Sequence, residues 1–210
     1  MAKLVIDGAE IEAEEGKNLL KVCLDNDIYI PNLCWLETDE TPHASCRLCF
    51  VEVAGYKTPV PSCTVAVTDE MVVKTDTEPV RRLQKTGLRF LLSTHKIECK
   101  ECHANKQCAL QDIAKFLKVG LKPKGLEQRF HETDVDESHP CFIYYPNRCV
   151  LCGKCIRVCR NEHGHSTLTF ASRGIDTVVT YFKDDEAEKL VCDDCEKCAE
   201  ICPVGALQKK

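Results

Sequence analysis

Eight of the chain's 17 cysteines fall into two copies of one spacing, C-x2-C-x2-C-x3-C. The first copy is Cys149, Cys152, Cys155 and Cys159. The second is Cys192, Cys195, Cys198 and Cys202, followed by Pro203. Three closely spaced thiolates take three iron corners of one cubane, and the fourth, displaced along the following helix, reaches the neighbouring cubane. Crossed ligation of this kind makes one set of Cys149, Cys152, Cys155 and Cys202, and another of Cys192, Cys195, Cys198 and Cys159. Pro203 fits the terminal proline of the motif, and Arg160 stands in its place in the first copy. Zinc usually takes two C-x2-C knuckles per site, so an unbroken run of four is unusual for it.

Two further groups remain. Cys34, Cys46, Cys49 and Cys63 are spaced x11, x2 and x13 and suit one [2Fe–2S] cluster. The first gap is much longer than that of the plant-type motif, so on spacing alone zinc is a rival. The third group is His95-x3-Cys99-x2-Cys102-x5-Cys108. Three cysteines leave a cubane one ligand short. His95, placed just past an expected helix end, offers a neutral imidazole nitrogen; His103, inside the loop, is a rival. Exchanging thiolate for imidazole removes a negative charge and raises the potential, as in Rieske centres.

The elements that must position these groups can be read from periodicity. Asp7-Gly8 between alternating apolar stretches predicts a tight hairpin. A helical pattern opens at Gly16, with Leu19, Leu20, Cys23 and Leu24 on one face, and is expected to run to Pro31. Short strands are expected at Phe50–Val53, over the apolar stretch 64–67, and at 71–73. A helix starts near Glu78 and Pro79 and runs to about Thr94, with Val80, Leu83, Leu88, Leu91 and Leu92 as its apolar positions. A second covers roughly Ala109 to Leu117. Gly120, Pro123 and Gly125 mark a linker, and the acidic stretch 132–137 reads as a solvated loop. Strands are expected at 168–170 and 178–181. Of the spare groups, Cys23 reads as a buried thiol and Cys141 as packing beneath a cluster. His163 and His165 read as groups outside the ligand shell. Lys154, Arg157 and Arg160 would offset cluster charge, against the plainer reading of a solvated helix face.

Composition supports metal over disulfides. The N-terminus lacks an apolar signal region, no run approaches a membrane span, and clustered thiols in a reducing cytoplasm hold metal. The net charge of −5 with no basic block argues against nucleic acid. No P-loop and no Gly-x-Gly-x-x-Gly after a strand is present, so no dinucleotide site is expected. No nucleophile–base pair suggests a catalytic residue.

The order of these motifs resembles the N-terminal iron–sulfur region of the large peripheral-arm subunit of respiratory complex I. That region also occurs in NAD-linked hydrogenases and formate dehydrogenases. The resemblance covers nearly the whole chain and implies an α+β protein of three parts. These are a β-grasp [2Fe–2S] ferredoxin domain (1–77), a helical [4Fe–4S] domain with one histidine and three cysteine ligands (78–118), and a bacterial-ferredoxin-like 2[4Fe–4S] domain (138–210), with 119–137 as linker. It selects His95 over His103. It implies one [2Fe–2S] and three [4Fe–4S] clusters and a relay of single electrons.

Because the chain ends eight residues after Cys202, it is similar to the short subunits of NAD(P)-linked hydrogenase complexes, including electron-bifurcating ones. The implied partners are a flavin subunit that oxidises NAD(P)H, a nickel–iron hydrogenase pair and ferredoxin, in the cytoplasm. The same relay in a formate dehydrogenase or complex I-like assembly is the alternative, and a zinc-bound structural module is the alternative of another class.

Overall fold

The computed structural model describes residues 1–39, 41–122, 124–181, 192 and 195–210. They form two compact units: residues 1–90 with 113–119, and residues 91–112 with 120–210.

The first unit is built on a mixed five-stranded sheet of order β2-β1-β5-β3-β4. Strands β1 (Ala2–Ile6) and β2 (Ala9–Ala13) pair antiparallel, with Leu4 opposite Ile11. Asp7 and Gly8 both have positive φ, 50° and 89°, which makes the expected hairpin turn of primed type. Alternation puts Ala2, Leu4 and Ile6 inside while Lys3 faces water. Strand β3 (Phe50–Val53) pairs with the short β4 (Val60–Pro61), and β5 (Val72–Lys74) runs parallel to β1 and antiparallel to β3.

Helix α1 (Leu19–Asp25) buries Leu19, Leu20, Val22 and Cys23 against this sheet. It starts at Asn18, whose side chain accepts from Lys21 N, rather than at Gly16. It also ends before Pro31. Asp27 turns left-handed (φ 60°), and the Ile28 amide bonds back to the Cys23 carbonyl at 2.9 Å, which closes the helix. The apolar stretch at 64–67 is no strand. It leaves a 3-10 turn (Ser62–Thr64) and makes a single bridge from Ala66 to Asn18.

Helix α2 (Glu78–Ser93) keeps its expected span. Its fully covered stripe is Val80, Gln84, Leu88 and Leu92. Gln84 tolerates burial because its Nε2 donates to the Phe50 carbonyl at 3.1 Å. Helix α3 (Ala109–Leu117) also keeps its expected span.

The second unit has no large sheet among its described residues. Strand β6 (Phe142–Tyr144) pairs with β9 (Leu207–Lys209), and β7 (Leu168–Ala171) with β8 (Val178–Tyr181). Helices α4 (Lys154–His163) and α5 (Lys197–Glu200) pack together, and Lys197 pairs with Glu162 across them. The acidic stretch is more than a solvated loop. Asp134 accepts from Lys96 and Asn147, and Asp136 exchanges two backbone hydrogen bonds with Tyr144, each 2.8 Å.

Candidate metal centres

In the first unit Cys34, Cys46, Cys49 and Cys63 are all buried, none more than 4% exposed. Ala44 and Arg47, on either side of Cys46, have positive φ, which wraps backbone around the sulfurs. The Cys46 amide points at Cys34 Sγ at 3.5 Å. Ser62 ties the fourth cysteine's turn to the second pair: its amide and hydroxyl both donate to the Cys49 carbonyl, at 2.8 and 2.9 Å. The four thiols bond to one another in pairs. A hydrogen bond from Cys46 holds Cys34 below the usual thiol range, while Cys46 is pushed well up by that same bond and by burial. Cys49, bonded to Cys63 and buried, is likewise pushed up.

Helix α2 presses on this loop. A Cβ at Gly87 would lie 2.5 Å from the Arg47 carbonyl oxygen. Glycine in a helix interior costs about 1 kcal/mol relative to alanine, and this close approach is the reason for it.

In the second unit His95, Cys99, Cys102 and Cys108 line one pocket, together with Arg148 and Val204. His95 Nδ1 lies 2.9 Å from the Arg148 carbonyl. A carbonyl only accepts, so Nδ1 carries the proton and Nε2 keeps its lone pair. Metal-binding histidines are commonly oriented in this way. Burial lowers His95 to about 4, which keeps the ring neutral. His103 is engaged elsewhere, by the Leu207 backbone and the Gln208 side chain, and does not line the pocket.

Cys149, Cys152, Cys155 and Cys202 line a second pocket with Tyr144 and Val204. The Leu151 amide points at Cys149 Sγ (3.4 Å) and the Ala206 amide at Cys202 Sγ (3.3 Å). Burial pushes Cys149 up to about 12 and raises Cys152 and Cys155. Thiolates buried this deeply need cations beside them. An iron cluster, with bridging sulfides and amide donors around it, is a group this all-sulfur set fits.

The fourth set is Cys159, Cys192, Cys195 and Cys198. Cys159 and Cys195 each act electrostatically on Cys198, and Cys195 and Cys198 act on Cys192. The internal repeat holds in the backbone: Gly153 (φ 70°) and Glu196 (φ 49°), one residue after the second cysteine of each copy, are both left-handed. Residues 193 and 194, between Cys192 and Cys195, lie outside the described residues. Among the described residues no three His, Cys, Asp or Glu side chains close on a single-ion site. Cluster ligands stand instead around a core of several atoms.

Cys23 is fully buried, and burial pushes its thiol up to about 12. Cys141 lies beside the fourth set, its Sγ 3.8 Å from the Cys192 carbonyl. The charges of Lys154 and Arg157 lower Cys152, against the larger effect of its burial. Two functional neighbours escape sequence reasoning. The Tyr144 hydroxyl bonds Cys149 and accepts the Val179 amide at 3.1 Å. Asn147 joins His131 to Asp134 while its own carbonyl takes the Lys96 amide. A tyrosine on a strand and an asparagine in a 3-10 turn carry no spacing signal.

Residues 1–78 match the family described as a 2Fe-2S iron-sulfur cluster binding domain. Residues 84–121 match the NADH-ubiquinone oxidoreductase-G iron-sulfur binding region, and residues 140–208 match the ferredoxin-like domain of NADH-quinone oxidoreductase subunit 3. Relatives include an NADH-quinone oxidoreductase subunit of Rhizobium meliloti (strain 1021), 35% identical over 99% of this chain and 24% of that protein. NADP-reducing hydrogenase subunit HndD of Solidesulfovibrio fructosivorans is 34% identical over 99% of this chain and 36% of that protein. The chain thus spans only about a quarter to a third of these relatives. A crystal structure of NAD+-reducing [NiFe]-hydrogenase in the H2-reduced state superimposes with a TM-score of 0.87 at 29% identity, covering 100% of this chain and 87% of that one. The chain therefore carries, in order, regions similar to a 2Fe-2S iron-sulfur cluster binding domain, an NADH-ubiquinone oxidoreductase-G iron-sulfur binding region and a ferredoxin-like domain.

Proposed function

We propose that this chain relays single electrons through one [2Fe–2S] and three [4Fe–4S] clusters. Cys34, Cys46, Cys49 and Cys63 hold the first cluster. His95 Nε2 with Cys99, Cys102 and Cys108 holds the second. Cys149, Cys152, Cys155 and Cys202 hold the third, and Cys192, Cys195, Cys198 and Cys159 the fourth. The observation that carries this reading is the grouping of the second and third sets around two pockets that share Val204, with His95 held in the tautomer that frees Nε2.

Each bound cluster supplies one-electron redox chemistry. The residues of this chain set its potential through ligand type, burial and hydrogen bonds, and none of them acts as acid, base or nucleophile. The clusters sit in a β-grasp [2Fe–2S] domain, a helical cubane domain and a two-cubane ferredoxin-like domain.

The relay runs between a flavin-containing subunit that oxidises NAD(P)H and a hydrogenase module in the cytoplasm. Similarity to an NADP-reducing hydrogenase subunit and to a NAD+-reducing [NiFe]-hydrogenase supports this over a formate-oxidising partner. Among the described residues no helix is long and apolar enough to cross a membrane.

Anaerobic purification with metal analysis and EPR tests the reading. The expected result is about 14 iron per chain, with one [2Fe–2S] and three [4Fe–4S] signals on stepwise reduction. A colourless, zinc-loaded protein would overturn it.

A further inference from the structure

We infer that two hydrogen-bonded backbone bridges join the ligands of the His95 set to those of the Cys149 set and carry the electron between them. The inference rests on the ligand sets proposed above. In the first bridge the His95 Nδ1–H donates to the Arg148 carbonyl at 2.9 Å. That carbonyl belongs to the peptide that continues into Cys149. In the second, the Ala109 amide donates to the Pro203 carbonyl, also at 2.9 Å. Ala109 follows Cys108, and Pro203 follows Cys202. Each route therefore leaves a ligand of one set, crosses one hydrogen bond, and reaches a ligand of the other through covalent bonds alone.

Buried backbone groups must find partners in any fold. That requirement alone does not make both bonds run from ligand to ligand. The surroundings favour conduction as well. Val204 is fully buried and lines both pockets. Arg148 and Cys108 are buried too. A Cβ at Gly205 would lie 3.1 Å from Cys102 Sγ, so the chain after Cys202 is pressed against the His95 set. Water is thus kept from the gap, and electronic coupling decays less through bonded atoms than through open space. In the transfer one electron leaves one side and arrives at the other. No bond forms or breaks, and the proton stays on Nδ1.

Ala109 is the first residue of α3, where proline is tolerated. Ala109→Pro therefore deletes the amide of the second bridge, and Ala109→Gly keeps it. Both are compared with the parent chain, fully loaded and anaerobic. Three readouts are taken: iron content, the midpoint potential of each cubane, and the magnetic coupling and electron-exchange rate between the two reduced cubanes by EPR. The expected result is a several-fold slower exchange and weaker coupling in A109P than in A109G, with iron and potentials unchanged. Unchanged exchange with both cubanes present overturns the inference. If A109P loses a cubane, His95→Cys carries the same test on the first bridge, because it keeps a ligand and deletes the Nδ1–H bond; intact magnetic coupling there also overturns the inference. A parent chain with no cubane on the His95 set would instead overturn the ligand assignment.

Discussion

Tyr144 and His139 show how single side chains shape the second unit. The Tyr144 hydroxyl donates to Cys149. A hydrogen bond to a ligand sulfur stabilises the more negative, reduced cluster and raises its potential. Tyr144→Phe should therefore lower the midpoint of one cubane modestly and leave the others in place, as read by EPR-monitored titration. His139 is 2% exposed, its ring stacked on Phe142 with centroids 3.7 Å apart. Its Nδ1 accepts the Cys141 amide at 3.2 Å, which requires the neutral form. Burial, and then the nearby Lys210 charge, lower it to about 4, with Asp136 opposing. The unfolded chain takes up this proton first, near pH 6.5. The stability His139 confers is thus complete above that pH and is lost as pH falls from about 6.5 towards 4, by at most about 1.4 kcal/mol per pH unit. Thermal unfolding of the loaded protein across this window should show a steeper fall for the parent chain than for His139→Phe.

At the scale of elements, the cluster loops are held by close approach as much as by ligand spacing. Helix α2 reaches the Cys46–Arg47 backbone only because residue 87 has no side chain. Gly87→Ala gains about 1 kcal/mol of helix propensity but drives a methyl into the Arg47 carbonyl, and overpacking costs about 1–3 kcal/mol. The expected outcome is a net loss of stability in the first unit. About two iron per chain should be lost with the [2Fe–2S] signal while the cubane signals persist; an intact [2Fe–2S] signal would argue against this role of the contact. The repeat in the second unit works in another way. Gly153 and Glu196 take the same left-handed turn. For glutamate that conformation costs about 1–2 kcal/mol. Glu196 is held in part by its 2.8 Å ion pair with Lys209.

At the scale of the whole molecule, the two units differ in what folds them. The first has a continuous apolar core of strand and helix side chains, from Ala2 and Leu4 to Met71 and Val73. The second has two-stranded sheets and short helices among its described residues. Such hairpins are marginal by themselves, so on the ligand sets proposed above, bound clusters supply much of that unit's folding free energy. Removing iron with a chelator under reducing conditions should therefore abolish cooperative unfolding of residues 91–112 and 120–210. Hydrogen-exchange protection in the β1–β5 sheet should fall much less. Equal loss of protection in both units would contradict this.

The sequence by itself offered the candidate donor atoms. Thiol spacing is local, and a cubane accepts ligands from a tight run in few ways, so the repeat and its proline were legible without coordinates. The Asp7-Gly8 hairpin and the spans of α2 and α3 were legible for the same reason, since turn chemistry and helical periodicity act over a few residues. Spacing left His103 as a rival to His95; the resemblance chose His95. Only the tertiary structure shows what fixes the His95 ring's proton, because the Arg148 carbonyl lies 53 residues away. The buried Gln84, bonded to Phe50 34 residues away, and the Ala109–Pro203 bridge have the same character. Each depends on a partner distant in sequence, and a partner's position is set by packing, which no local pattern encodes.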